Sequence, residues 1–395
     1  MGFFAAIRSF AANHFELEYG KETLLPMEGM RGFSALIVFF VHFEALFGSR
    51  AGDSTAHSVS LFLATMGHCG VDIFFALSGF LMYGTLMKRP YGYFGFVRRR
   101  IHRLHPTFLA VLAFYMLIGF AAPAYSRFPA TPWAAVLYLV ANVLMLPGIF
   151  PIVPIITVAW SLSYELLFYL TLPWLIRGLR LFLWNRTARV VFFCVISAVQ
   201  LGLCSAGYSR HPRLIMFACG ILTRETFDLL PRLGRGWDYA ALALLVASFG
   251  VIGLTGQPEF AAISGPVLHH SGFELGLLFL SVYAVSCCAL AGKGLLSFWF
   301  SRDWLRWMGN MSYSYYLTHG VVLHLLLVGL EFLRLPALLS TSEYVGLGIV
   351  SFVATVTGSA FVFLAVERRF SFSRAGAATR GSDWPLPIPR VDERS

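Results

Sequence analysis

Arg31 and His42 lie eleven residues apart in one long apolar run, and both are costly to place in lipid. Eleven steps of about 100° return a helix to within roughly 20° of its starting face, and a rise of ~1.5 Å per residue parts the two side chains by about 16 Å. That is too far for an ion pair. One stripe of one membrane helix therefore carries a cation near a surface and a titratable imidazole near mid-depth, and an ionisable group at that depth is a functional-site hypothesis by default. Glu165, in Trp160-Ser161-Leu162-Ser163-Tyr164-Glu165, is its natural partner. Entering from the outer side near residue 157, it comes to lie about 12 Å below the edge of a ~30 Å core, and His42 reaches that level from the other side. A carboxylate beside an imidazole in low dielectric orients it and supports acid–base work. The plainer reading makes Glu165 packing glue, bonded to backbone or a serine. Ser161, four residues before Glu165, shares its face.

Three further groups sit in apolar runs. His319, in Ser312-Tyr313-Ser314-Tyr315-Tyr316-Leu317-Thr318-His319, is about 15 Å into its run and is either a satisfied structural residue or a site member. Asp72 either lines a path or caps a neighbouring helix. Ser78 and Gly79 leave room for close helix approach or for a thin chain. Glu44, His269 and His270 near the outer surface read as wetted positions, with contact to an acceptor as the sharper alternative. The segment 88–105 reads as a cytoplasmic loop with Pro106 opening the next span; it holds Lys88, Arg89, Arg98, Arg99, Arg100 and Arg103, two histidines and no acid. A topological anchor needs fewer cations, and arginine forks suit phosphate oxygens, so the loop reads as both anchor and phosphate grip.

The elements that must position these groups are membrane helices. Of 395 residues 57% are hydrophobic and 13% charged, with a mean hydropathy of +0.70, where a soluble domain carries about 25% charge. The fold class is all-α: a polytopic integral membrane protein with about ten transmembrane helices, near 30–49, 67–88, 106–125, 157–176, 189–206, 210–226, 237–254, 273–291, 309–331 and 345–366. With both termini cytoplasmic, this arrangement puts 25 of the 30 lysines and arginines inside; counting 133–150 as a further span leaves 12 inside and 18 outside. The positive-inside rule therefore makes 133–150 a re-entrant or surface-lying piece. The net charge of +10 is explained by these loops and anionic lipid, which argues against nucleic acid. Six cysteines at no ligand spacing imply neither a disulfide framework nor a metal site. No cleavable signal is visible. The chain divides into a cytoplasmic segment 1–25, a membrane domain 26–370 and a polar, disordered cytoplasmic tail 371–395.

Taken in order, six stretches resemble the membrane-bound acyltransferase type 3 family, whose members modify bacterial cell-surface glycans and some small molecules. They are Glu28-Gly29-Met30-Arg31-Gly32 followed by His42; Phe74-Phe75-Ala76-Leu77-Ser78-Gly79-Phe80-Leu81; Arg99-Arg100-Ile101-His102-Arg103-Leu104-His105-Pro106; Trp160 to Glu165; Ser312 to His319; and Val366-Glu367-Arg368. The resemblance implies transfer of an acyl group, usually acetyl, from cytoplasmic acetyl-CoA to a hydroxyl across a bacterial inner membrane. It makes His42 the essential histidine, Arg31 its motif partner, Glu165 the acidic position, and Arg99, Arg100 and Arg103 donor-side residues. Leu166 stands where relatives often carry a second acid, which puts acceptor choice in question. The esterase-like domain of some relatives is not part of this chain, so such a partner would be a separate periplasmic protein.

On that basis His42 acts as general base on the acceptor hydroxyl or as a transient acyl carrier, oriented by Glu165. Ser161, Tyr313 or His319 supplies the oxyanion donor. The rival from another class is a proton-coupled secondary transporter that uses the same buried groups as a relay; no half-chain symmetry accompanies it. A non-catalytic scaffold for polysaccharide export is the remaining alternative.

Overall fold

The computed structural model describes residues 3–17, 24–52, 54–88, 92–121, 128–208, 211–232, 234–255, 272–334 and 336–372. Arg89, His269, His270 and nearly all of the C-terminal tail, from 373 on, lie outside them. Among the described residues every extended element is a helix. They are α1 (Phe3–Phe15), α2 (Leu25–Phe47), α3 (Thr55–Gly67), α4 (Cys69–Lys88), α5 (Tyr93–Ala121), α6 (Pro132–Val143), α7 (Ala159–Gly178) and α8 (Arg186–Ser205). There follow α9 (Ile215–Thr226), α10 (Trp237–Thr255), α11 (Gly272–Leu290), α12 (Leu295–Phe300), α13 (Asp303–Asn310), α14 (Ser312–Phe332) and α15 (Thr341–Val362), which continues as a π-helix over Phe363–Phe372.

Among the described residues eight stretches are long and apolar enough to cross a membrane, including Leu25–Arg50, Thr55–Lys88 and Ser312–Phe332. The other two of the ten expected spans are α7 and α9. Helix α7 has 20 residues, but Glu165, Arg177 and its serines and tyrosines dilute its apolarity. Helix α9 has only 12, about 18 Å against a ~30 Å core, and 3₁₀ turns at Pro212–Leu214 and Phe227–Arg232 extend it. In the uncharged stretch 133–150 only the first part is helical, the 12-residue α6, too short to cross by itself. Asn142 secures the return: its Nδ2 donates to the Tyr138 carbonyl (2.9 Å), and its Oδ1 accepts from the Ile155 N–H (2.8 Å).

One expectation is corrected. The arginine-rich segment is not a loop up to Pro106: α5 starts at Tyr93 and runs through Pro106 without interruption. Arginine and leucine favour helix, and the hydrogen bond that Pro106 removes is a local loss that a long helix absorbs. The consequence is spatial. Arg99 and Arg103, four apart, and Arg100 and Arg103, three apart, are brought onto one helix face.

Helix α2 starts on a proline in its first turn, where no backbone N–H is needed. It crosses α13 so closely that a Cβ on Gly32 would strike the Leu305 carbonyl and one on Gly309 the Glu28 carbonyl. Small residues at such crossings let two backbones meet. Arg306, 7% exposed, locks the same crossing: its Nε donates to Glu28 (3.0 Å), and its Nη2 reaches Glu16 in the segment after α1.

Candidate active site

The half-buried His42, on α2, makes no hydrogen bond among the described residues. Its ring stands edge-on to that of His319 on α14, centroids 4.7 Å apart and planes at 66°. His319 is fully buried. Its Nδ1 lies 2.8 Å from the Tyr315 carbonyl, a group that can only accept, so the proton sits on Nδ1 and Nε2 presents a lone pair. That Nε2 is buried with no hydrogen-bond partner. Tyr315 stacks flat on the His319 ring (5.3 Å, 4°), which fixes its plane. An orphaned buried acceptor costs about 1–3 kcal/mol, and here it belongs to the ring touching the one intramembrane histidine of the Arg31 stripe. This is the candidate reactive pair.

The expected partnership of His42 with Glu165 does not form: no hydrogen bond or ion pair joins them among the described residues. Glu165 Oε1 accepts from Ser78 Oγ on α4 (2.6 Å) and from the Tyr169 hydroxyl one turn along its own helix. Equal depth on two helices does not make side chains face each other, since each also needs the right azimuth. Glu165 instead lies close enough to Arg100 for their charges to interact. The hydrogen bonds of the carboxylate go to α4 and to its own helix.

The remaining candidates sort by their partners. Ser161 Oγ shares a hydrogen bond with the Tyr316 hydroxyl (2.8 Å) and donates to the Val158 carbonyl (3.1 Å); Tyr316 in turn flanks His319, centroids 6.0 Å apart. Ser161 thus stands one residue removed from the histidine pair. The Tyr313 hydroxyl donates to the Leu104 carbonyl (2.8 Å), which commits its proton and takes it out of the set of oxyanion donors. Asp72 pairs with Arg213 Nη1 (2.9 Å) and holds two chain segments together. Glu44 is likewise committed, accepting from Ser60 and Tyr344 and pairing with His57 (2.9 Å).

On α5, Arg99 is exposed and Arg100 half-buried. Arg103 forms an ion pair with Glu367 (2.8 Å), whose side chain is wholly buried. Glu367 lies in the π-helix and also accepts from the backbone N–H (3.0 Å) and hydroxyl (2.5 Å) of Ser314 in the first turn of α14. One carboxylate thus ties the arginine helix to the helix that carries His319, a favourable place for negative charge at a helix N-terminus. Arg31 is half-buried and makes no hydrogen bond or ion pair among the described residues. Sequence reasoning singled out Val366-Glu367-Arg368 only as a motif; the signal it underused was an acid just past a span end, facing an all-basic segment. No group of three or more metal-ligating side chains exists among the described residues.

Residues 26–363 match the family described as an acyltransferase domain. The chain is 29% identical over 287 residues to the exopolysaccharide production protein ExoZ of Rhizobium meliloti, covering 68% of this chain and 79% of that protein. It is 30% identical over 190 residues to the acyltransferase MdmB of Streptomyces mycarofaciens, covering 47% of this chain and 43% of MdmB, less than half of that relative's length. It is 29% identical over 164 residues to protein 2 in the picA locus of Rhizobium radiobacter, covering 37% of this chain and 78% of that protein. No solved structure gives a significant match.

Proposed function

The chain belongs to this acyltransferase family, and from that premise we propose that it carries an acyl group, in the simplest case acetyl, from cytoplasmic acyl-CoA to a hydroxyl of an extracytoplasmic glycan. The observation that carries the reading is the juxtaposition of a half-buried, uncommitted His42 with a buried His319 whose Nε2 has no partner. A hydroxyl attacking a thioester needs a base within reach and no competing solvent. The balance is simple: the acceptor oxygen forms the new C–O bond, the C–S bond breaks, and the acceptor proton passes by way of the imidazole to the departing thiolate. His42 serves as base in a direct transfer or as acyl carrier in a two-step one. His319 supports it through the shared ring contact, and the Ser161–Tyr316 pair lies on its flank.

The donor side is read from charge. Arg99, on the exposed face of α5, suits a nucleotide phosphate, and Arg103 is held in place by Glu367. Arg31, about 16 Å along α2 from His42, lies on the route of the pantetheine arm. The name of ExoZ, an exopolysaccharide production protein, supports a polysaccharide acceptor, and a separate esterase-like protein is the partner that the family resemblance implies. Charge distribution supports a bacterial inner-membrane location with cytoplasmic termini. The test is purified protein with radiolabelled acetyl-CoA and a glycan panel. Thioester consumption coupled to glycan labelling supports transfer; no consumption with any acceptor refutes it. Label retained on His42 after quenching selects the carrier route.

A further inference from the structure

Glu367 and Arg368 are neighbours in the π-helix over Phe363–Phe372, a rare helix type that recurs at functional sites. Adjacent residues on a helix point to different sides, and these two side chains have different partners. Glu367 holds Arg103 and the first turn of α14. Arg368 reaches the end of α1: its Nη1 donates to the His14 carbonyl (2.8 Å) and its Nη2 to the Asn13 carbonyl (3.3 Å). Both carbonyls belong to the last turn of α1, where a helix leaves its acceptors unpaired and a cation is favourable. Phe15 stacks on Phe363 at the start of the π-helix, centroids 5.7 Å apart and planes at 27°. The end of α1 is therefore seated along the π-helix at two points.

The same short stretch also grips α13. The Phe15 carbonyl accepts from Asn310 Nδ2 (3.0 Å), and the Glu16 carboxylate accepts from Trp307 Nε1 (3.0 Å) and from Arg306. Arg8, further back on α1, pairs with Asp303 at the start of α13 (2.8 Å). Arg306 carries the grip on to α2 through Glu28 (3.0 Å), and Glu28 is near enough to Arg31 and Glu16 for their charges to interact. The consecutive residues Asn13 to Glu16 thus bridge two elements. One holds Arg103 through Glu367, and the other locks the Arg31 end of α2.

We propose that residues 13–16 form a donor-site clasp, in which Arg368 and Glu16 are positioning residues that keep Arg103 and Arg31 at the separation one acyl-CoA requires. The assignment rests on the transferase reading. Arg368→Ala frees the end of α1 from the π-helix, and Glu16→Ala frees it from α13 while Arg306 keeps Glu28. In steady-state kinetics on purified full-length protein, each should raise the KM for acetyl-CoA at least about fivefold, the lower end of coupling between separate sites, with kcat and the glycan KM within twofold of wild type. Arg368→Lys and Glu16→Gln, which keep a donor and an acceptor at these positions, should recover most of the loss. Hydrogen exchange read by mass spectrometry needs no turnover. Arg368→Ala should speed exchange in α13, and Glu16→Ala should speed it in residues 363–372, although each side chain has its hydrogen bonds elsewhere. An acetyl-CoA KM within twofold of wild type, a kcat loss equal to the KM change, or faster exchange confined to each residue's own contacts overturns the clasp. Wild type that consumes no acetyl-CoA at all sinks the transferase reading instead, and exchange alone then decides whether residues 13–16 join the two elements.

Discussion

His319→Phe is the sharpest perturbation the structure offers. The phenyl ring keeps the flat stack on Tyr315 and the edge contact with His42. It deletes the Nδ1 bond to the Tyr315 carbonyl and the unpaired Nε2. The Tyr315 carbonyl lies within a regular helix and keeps its backbone partner, so that loss is small, and deleting an orphaned buried acceptor removes a cost of about 1–3 kcal/mol. Stability in detergent should therefore hold, with Tm within about 4 °C of wild type. Catalysis should not. If Nε2 engages a charged species as His42 takes the acceptor proton, the missing bond is worth about 1.5–3 kcal/mol, or roughly 10- to 150-fold in kcat/KM. The assay is steady-state transfer from radiolabelled acetyl-CoA beside a thermal melt. A kcat/KM within twofold of wild type at unchanged Tm would show that the His319 ring only packs, and the reactive pair would dissolve.

Four other variants follow from the same geometry. His42→Ala should express and fold normally and lose transfer altogether; full activity in that variant removes the catalytic assignment. Glu367→Gln leaves the largely buried Arg103 without its counter-charge and should cost about 3 kcal/mol of stability, read as a lowered midpoint in thermal unfolding, together with a higher KM for acetyl-CoA than for acceptor. Arg103→Ala should raise the same KM, and the double variant should cost less than the sum of the two, which a double-mutant cycle measures; strict additivity would break the link between them. Gly309→Val should part α2 from α13, because a side chain there meets the Glu28 carbonyl. The expected result is at least ~1–3 kcal/mol of destabilisation with activity falling in step.

Much of the architecture is legible without coordinates. Low charge and long apolar runs dictate a helical membrane bundle, and the distribution of arginines argues against a crossing at 133–150, where α6 has 12 residues. The motifs from Arg31 to Glu367 identify the family for the same reason: their order along the chain is a property of sequence alone. What sequence reasoning misjudged was local continuity and facing. It read Pro106 as the start of a span after a loop, whereas α5 carries straight through.

It also paired His42 with Glu165 on the strength of common depth. Helical rise along a single chain determines depth, so both levels were calculable from residue numbers. Which side chain turns toward which depends on how each helix is rotated and crossed against its neighbours, and the packing of the whole bundle sets that. The close α2–α13 crossing at Gly32 and Gly309 is one such determinant; the seating of Ser78 against Glu165 is another. Residue order thus decided the class, the family motifs and the heights of the ionisable groups. Only tertiary packing decided that the ring facing His42 belongs to His319, because azimuth is a property of the assembled bundle and not of any one segment.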